Sequence, residues 1–296
     1  MKRKIVQHGP STLTISLPAD WAREHNVQKG DEISVERVNQ GLLLTSEKGV
    51  RLKQKKLSLK SMNAAMIAQL VCSLYKQGYD ELKIMYDAPE EADAIYELVR
   101  KGSLNFEITE NTKDTIELRN LIEPVKGEFK TLFRRIFYFL LTTAEESTEA
   151  IENENTELSR DIVRRHEHVI RIAAFCTRLI AKYGQDAYES DTLVWQVIET
   201  LEGISAAYAE LHQLILDDVV TSSEVLHNAC EQLSISLRAY EALFFRFSLE
   251  RSTEFFNTYE ELHARVAVCE PYAQRILMQV AQKLRDLSAI TFALQA

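Results

Sequence analysis

The chain has 296 residues, of which 46% are hydrophobic and 27% are charged, and it contains only nine Gly and five Pro. This composition is typical of a folded, mostly helical protein and excludes a disordered chain. The length predicts two or three units that each bury a core. The four cysteines form no CxxC pair and have no His at zinc-ligand spacing, so we expect reduced thiols in helices.

The formal net charge of −9 is unevenly distributed. Residues 1–60 contain twelve Lys or Arg against six acids, a net charge of +6, which leaves −15 for the remainder. A basic end on an acidic body predicts that this end contacts a polyanion. A solvated, lysine-rich linker is the alternative explanation, because residues 51–60 supply five of these cations.

Neither a membrane span nor a signal peptide is predicted. No run approaches the roughly 20 apolar residues that a span needs, and the basic residues 2–4 are not followed by an apolar segment. We therefore expect a cytoplasmic protein that does not insert into membranes.

The first fifty residues have the pattern of short strands around one short helix. β-Branched and apolar runs alternate with turn signals at Gly9-Pro10-Ser11, at 29–31 and at 39–41, and Pro18 suits the first turn of a helix. The predicted elements are strands at 5–8 and 13–17, a helix at 18–25, and strands at 32–38 and 42–45.

Three segments, HGPSTLTISLP (8–18), VQKGDEISV (27–35) and GLLL (41–44), resemble the SpoVT/AbrB/MazE swapped-hairpin family. The resemblance covers about fifty residues and implies an intertwined homodimer that shares one small barrel and contacts DNA through its basic first hairpin. Elementary physics agrees in part, because four short strands form a small core with open sheet edges that a second copy would close. Residues 1–50 are therefore predicted to be a DNA-binding and dimerisation hairpin.

We expect six residues of this hairpin to contact DNA: Lys2, Arg3, Lys4, His8, Ser11 and Thr12. Cations neutralise phosphates and hydroxyls donate to them, which gives affinity and position but little sequence information. The alternative is that residues 2–4 are a frayed, solvated terminus.

After a basic linker at 51–60, residues 61–122 have the pattern of a small α/β module. Its predicted elements are helices at 62–76 and 90–100 and strands at 81–86, 105–110 and 115–121, with Lys101-Gly102 closing the second helix. It has no phosphate-binding loop and no nucleophile elbow, so we interpret it as a spacer or an interface. The segment YKQGYDE (75–81) resembles one found between hairpin and bundle in archaeal PhoU-type regulators.

Apolar residues at helical spacing continue almost without a break from residue 128. Helices are predicted at 126–153, 156–183, 189–218, 222–250, 253–269 and 271–295. Their short connections favour two antiparallel three-helix units, 123–220 and 221–296, and the segments LEGISA (201–206) and LRDLSA (284–289) echo each other.

The order of hairpin, module and twinned bundle resembles archaeal PhoU-family phosphate uptake regulators over nearly the whole chain. In that family, carboxylates on inner helices and a Gly-Asp segment hold metal ions. Glu157, Asp161 and Glu167 are candidate ligands, but Ser-Ala at 205–206 and at 288–289 stands where Gly-Asp is expected. Helix-face salt bridges from Asp161 to Arg164 or Arg165 are the favoured explanation, so we expect no bound metal and no cofactor.

Two classes of function follow. The first is a DNA-binding transcriptional regulator linked to phosphate homeostasis, whose bundle docks a phosphate-transport or signalling protein. The second is a PhoU-like adaptor that regulates a phosphate transporter or sensor kinase by protein contact, with the hairpin only a dimer clasp. An enzyme is not expected, because no constellation of carboxylates and histidines stands out.

Overall fold

The computed structural model describes residues 2–38, 41–45, 52–100, 104–122, 126–185 and 187–295. The chain divides into two compact units, Met1–Gln54 and Lys55–Ala296. The turn predicted at 39–40 and the helix closure at 101–102 lie outside the described residues. Within the described part, no helix combines the length and the apolar character needed to cross a membrane.

The first unit contains two antiparallel hairpins with a short helix between them, in the predicted order. Its elements are β1 (Val6–His8), β2 (Thr12–Thr14), α1 (Ala19–Glu24), β3 (Ser34–Val38) and β4 (Gly41–Thr45). The second strand was expected to reach residue 17 but ends at Thr14. A strand exists only where a neighbouring backbone completes its ladder, and among the described residues none pairs with 15–17.

The second unit begins with a four-stranded sheet and two helices among its described residues. The elements are β5 (Gln54–Ser58), α2 (Ala64–Lys76), β6 (Glu81–Met85), α3 (Pro89–Arg100), β7 (Phe106–Asn111) and β8 (Thr115–Asn120), and the sheet order is β5-β6-β8-β7. Alternate residues of β6 and β8, such as Ile84 and Ile116, are buried, as expected for a sheet with one covered face.

The expectation of a linker at 51–60 is wrong for residues 54–58, which form the edge strand β5. This strand is lysine-rich and nearly all of its side chains are exposed. Such composition is typical of a sheet edge that is protected from pairing with another chain. Because the strand lacks alternating apolar residues, the sequence pattern did not predict it.

Six long helices follow in the described residues: α4 (Phe129–Glu152), α5 (Thr156–Tyr183), α6 (Asp191–Leu216), α7 (Glu224–Phe245), α8 (Leu249–Val266) and α9 (Pro271–Gln295). Four of them start at a side chain that accepts a hydrogen bond from a first-turn amide: Asn155, Ser190, Ser223 and Ser248. Such caps fix where a helix begins. The predicted helix at 222–250 is too long, because α7 ends at Phe245 and α8 begins at Leu249 after the Ser248 cap, before the predicted start at 253. The other predicted limits lie close to the observed ones.

The six helices form two three-helix groups, α4–α6 and α7–α9, which share one hydrophobic core. α4 packs antiparallel on α7, where the rings of Phe137 and Tyr240 lie 6.1 Å apart, and α6 packs on α9, where Arg275 donates to Glu210 at 2.6 Å. The domain limits predicted at 123–220 and 221–296 stay a prediction, since both groups belong to one compact unit.

A buried ionic cluster joins the α/β module to α5. Arg178 is fully buried, pairs with Asp80, and donates to the carbonyl oxygens of Tyr75 at 3.1 Å and Tyr79 at 2.6 Å. Lys182 donates to Asp80 at 2.7 Å. The segment 75–81 therefore anchors the module directly on the bundle. We name this cluster of Asp80, Arg178 and Lys182 the α5 joint.

Candidate nucleic-acid interface

The first hairpin is a tight turn between two three-residue strands. His8 lies opposite Thr12, Gln7 opposite Leu13, and the Thr14 hydroxyl donates to the Val6 carbonyl oxygen at 3.0 Å. Gly9 has a φ of +79°, a left-handed conformation that glycine adopts without the cost that a Cβ brings. Because residues directly opposite each other on paired strands lie on the same face, His8 and Thr12 point to the same side of the hairpin.

All six predicted DNA-contacting side chains are exposed. The structure brings His8, Ser11 and Thr12 together at the hairpin tip, while residues 2–4 precede β1 without regular structure. None of Lys2, Arg3 and Lys4 forms an ion pair with a described residue. The three cations are therefore available to phosphates, whereas Arg23 is held by Asp20 at 2.5 Å.

The second family landmark, Gln28 to Asp31, is also a closed turn. The Asp31 carboxylate accepts from the Gln28 amide at 2.8 Å, and the Asp31 amide donates to the Gln28 carbonyl oxygen at 3.1 Å. Just before it, the rings of Trp21 and His25 stack with centroids 4.6 Å apart, and both side chains are half-buried. Trp21 therefore supports α1 and is not a free stacking platform for bases.

No described side chain in the first unit is fully buried. Instead, this unit exposes large apolar residues whose side chains are more than half accessible: Ile5 66%, Val6 60%, Leu13 68%, Ile15 58%, Val35 56% and Leu42 70%. Burial of such surface is the main favourable term in folding, so a unit of this size requires a covering partner to be stable.

The candidate metal ligands do not converge. Glu157 and Glu167 are exposed, and Asp161 pairs with Arg164, as the favoured explanation predicted, whereas Arg165 pairs with a carboxylate of α4. In the described part of the chain, no three His, Cys, Asp or Glu side chains form a group suited to a metal ion.

One polar cluster was not predicted. His212 of α6 is fully buried, with its Nδ1 3.0 Å from the Ser159 hydroxyl of α5 and its Nε2 2.7 Å from the Ser147 hydroxyl of α4. Burial lowers the pKa of His212 to about 4, so the imidazole is neutral at pH 7. The three residues are far apart in the sequence, and no local pattern connects them.

Comparison with known proteins bears on the first unit alone. A family model described as antidote-toxin recognition MazE, bacterial antitoxin, matches residues 6–52. A search of curated proteins finds no match to the chain. The matched range spans β1 to β4, so the amino-terminal unit is similar to MazE-type antitoxin domains, whereas the rest of the described chain is mostly helical.

Proposed function

We propose that the protein is a DNA-binding transcriptional regulator that acts as a homodimer through residues 1–50. The observation that carries the proposal is the hairpin, in a segment that matches the MazE family model: the cations at 2–4 are exposed and pair with no described residue, and polar side chains lie at the tip. Exposed Lys and Arg side chains that neutralise DNA phosphates release the counterions condensed on the DNA, and this release favours binding.

The exposed apolar residues support the dimer. A second copy covers them and supplies the neighbouring backbone that residues 15–17 lack within the described chain. A dimer also doubles the number of cations that face one duplex, which raises affinity without any new contact within a protomer. The body, at −15, repels DNA, so the hairpin carries the interaction.

The DNA proposal is tested by the salt dependence of duplex binding. Replacing Lys2, Arg3 and Lys4 with Ala removes up to about six phosphate contacts from a dimer, so the slope of log K against log salt falls by roughly five. Fluorescence anisotropy with a labelled genomic fragment measures the slope. The matched control replaces the exposed Lys113, Lys130 and Arg160 of the second unit with Ala, and its slope stays unchanged.

The link to phosphate uptake is the finer part of the proposal. It is supported by the PhoU-like order of hairpin, module and six helices in two groups of three. Under this proposal the bundle docks a phosphate-transport or signalling protein, has no catalytic role and binds no cofactor.

The PhoU-like adaptor is the second candidate function. It is supported by the same order of helices and by the large second unit, to which we assign no DNA contact. The two candidates differ in one measurement. If the hairpin variant and the wild type bind duplex DNA with equal, weak and salt-insensitive affinity while the protein stays a dimer, the hairpin is a clasp and the adaptor is favoured.

A further inference from the structure

Three connections meet at one end of the bundle: residues 153–155, 217–223 and 267–270. The α5 joint lies near the carboxyl end of α5, whereas these connections surround its amino end. A helix rises about 1.5 Å per residue, so some 30 Å separate the two places along α5. We name this end, with its two cavities described below, the distal tip.

The first cavity of the distal tip, about 280 Å³, lies between the carboxyl ends of α4 and α6. Glu154 and Asp218 line it, and neither carboxylate has a hydrogen bond or an ion pair with any described residue. The ends of α4 and α6 add negative partial charge. The amino ends of α5 and α7 reach the same end of the bundle and contribute positive partial charge, so the net negative charge of the cavity comes from the two carboxylates.

The second cavity, about 240 Å³, shares Thr221 with the first, and its lining is more apolar than polar. Val225, Leu226, Val268 and Ala273 form its walls. Around it the apolar side chains are exposed: Val268 71%, Tyr272 56%, Val219 43% and Val225 43%. The Glu270 carboxylate accepts from the Thr221 amide at 3.1 Å and holds the two connections together.

We propose that the distal tip binds a segment of a partner protein in which a Lys or Arg lies within a few residues of a large apolar side chain. The cation enters the cavity of Glu154 and Asp218, and the apolar side chain enters the neighbouring cavity. Each cavity has about the volume of one large side chain, and adjacent anchors of this kind are how short segments gain both affinity and register.

Charge argues against two other occupants. The three connections contain four acids and no Lys or Arg, so the same surface of a second copy would bring like charges together. Anionic lipid headgroups would be repelled for the same reason. A basic, apolar segment is the occupant that complements both the charge and the exposed apolar surface.

Selection of random twelve-residue peptides displayed on phage against the full chain tests the proposal. The enriched peptides are expected to pair Lys or Arg with Leu, Ile, Val or Phe. Synthetic versions should bind about fivefold more weakly to the double variant Glu154→Gln, Asp218→Asn, and at least about tenfold more weakly to Val268→Glu. Asn tolerates the left-handed backbone at 218, where φ is +56°, so the fold is preserved.

Matched controls sit at the opposite end of the bundle. The double variant Glu189→Gln, Glu250→Gln removes two exposed carboxylates, as the double variant at the distal tip does. Leu249→Glu replaces an exposed apolar side chain with a carboxylate, as Val268→Glu does. Both controls should bind the peptides as the wild type does. The hairpin variant lacking Lys2, Arg3 and Lys4 should also bind them normally, which separates this proposal from DNA binding.

Several outcomes overturn the proposal: no enrichment, enrichment of acidic peptides, or unchanged affinity in both tip variants. Loss of self-association in Val268→Glu, measured by sedimentation, would assign the surface to a second copy and equally contradict a partner segment.

Discussion

His212 is a buried base that the bundle keeps neutral. The Ser147 and Ser159 hydroxyls rotate, so each can donate to or accept from the imidazole, and both ring nitrogens are satisfied without a charge. Protonation would place a cation in the core, where the ring nitrogens of His212 contact two serine hydroxyls and no carboxylate of the described residues. The cost of that buried charge is the physical cause of the lowered pKa of His212.

This histidine predicts a pH-dependent stability. The pKa of His212 in the folded protein, about 4, lies below its usual value of 6.5. The stability that the neutral imidazole contributes is therefore present above pH 6.5 and is lost as the pH decreases toward 4. At pH 5 the expected loss is about 2 kcal/mol. Urea unfolding at pH 7.5, 6 and 5 measures it, and His212→Gln should lack this part of the decline.

His168→Gln, at an exposed position of α5, is the matched control and should retain the wild-type pH profile. Glu91 does not confuse the comparison. Backbone amides, first that of Asp87, lower the pKa of its carboxyl from 4.5, so its contribution is lost only as the pH falls below 4.5. Identical pH profiles for His212→Gln and the wild type would contradict the assignment.

At the scale of elements, the α5 joint fixes the α/β module to the bundle. Asp80→Ala leaves Arg178 and Lys182 buried without this carboxylate, and removal of one partner of a buried ion pair costs about 3–5 kcal/mol. The control Glu117→Ala breaks a partly exposed pair with Lys83 and should cost less than about 1 kcal/mol. Equal losses of the free energy of unfolding in Asp80→Ala and Glu117→Ala, measured with urea, would contradict the stabilising role of the α5 joint.

The outer face of α5 predicts the absence of a metal site. Asp161 forms a solvent-exposed ion pair with Arg164, so Asp161→Ala should cost under about 1 kcal/mol and change no metal content. Elemental analysis of protein purified without chelator is expected to find no stoichiometric iron, manganese or zinc. A stoichiometric metal that disappears in Asp161→Ala would make these carboxylates ligands.

Helices could be predicted from the sequence and tertiary pairing could not. Apolar spacing located the six long helices because this signal is local, although it placed the break between α7 and α8 several residues too late. β5 was missed because its pairing with β6 is distant and its side chains are charged and exposed. In the same way, a local pattern was enough to propose the hairpin residues as DNA contacts, but the cluster of Ser147, Ser159 and His212 depends on three helices that only packing brings together.

At the scale of the whole molecule, self-association should depend on the first unit. The full chain is expected to sediment as a dimer, because residues 1–54 expose large apolar side chains and bury none of those described. A chain of residues 55–296 contains the whole shared core of the bundle and should remain folded as a monomer. A monomeric full chain at micromolar concentration would contradict the prediction.

α5 is one continuous helix that connects two parts of the second unit. Its 28 residues contain no Gly or Pro, so it has no weak point at which to bend. Thr156 and Ser159, at the amino end of α5, line the first cavity of the distal tip. Arg178, near its carboxyl end, binds Asp80 of the α/β module. A ligand that displaces the amino end of α5 would therefore act on the Arg178 contacts through one unbroken helix, and a change in hydrogen exchange at the amides of 79–81 on peptide binding would report it.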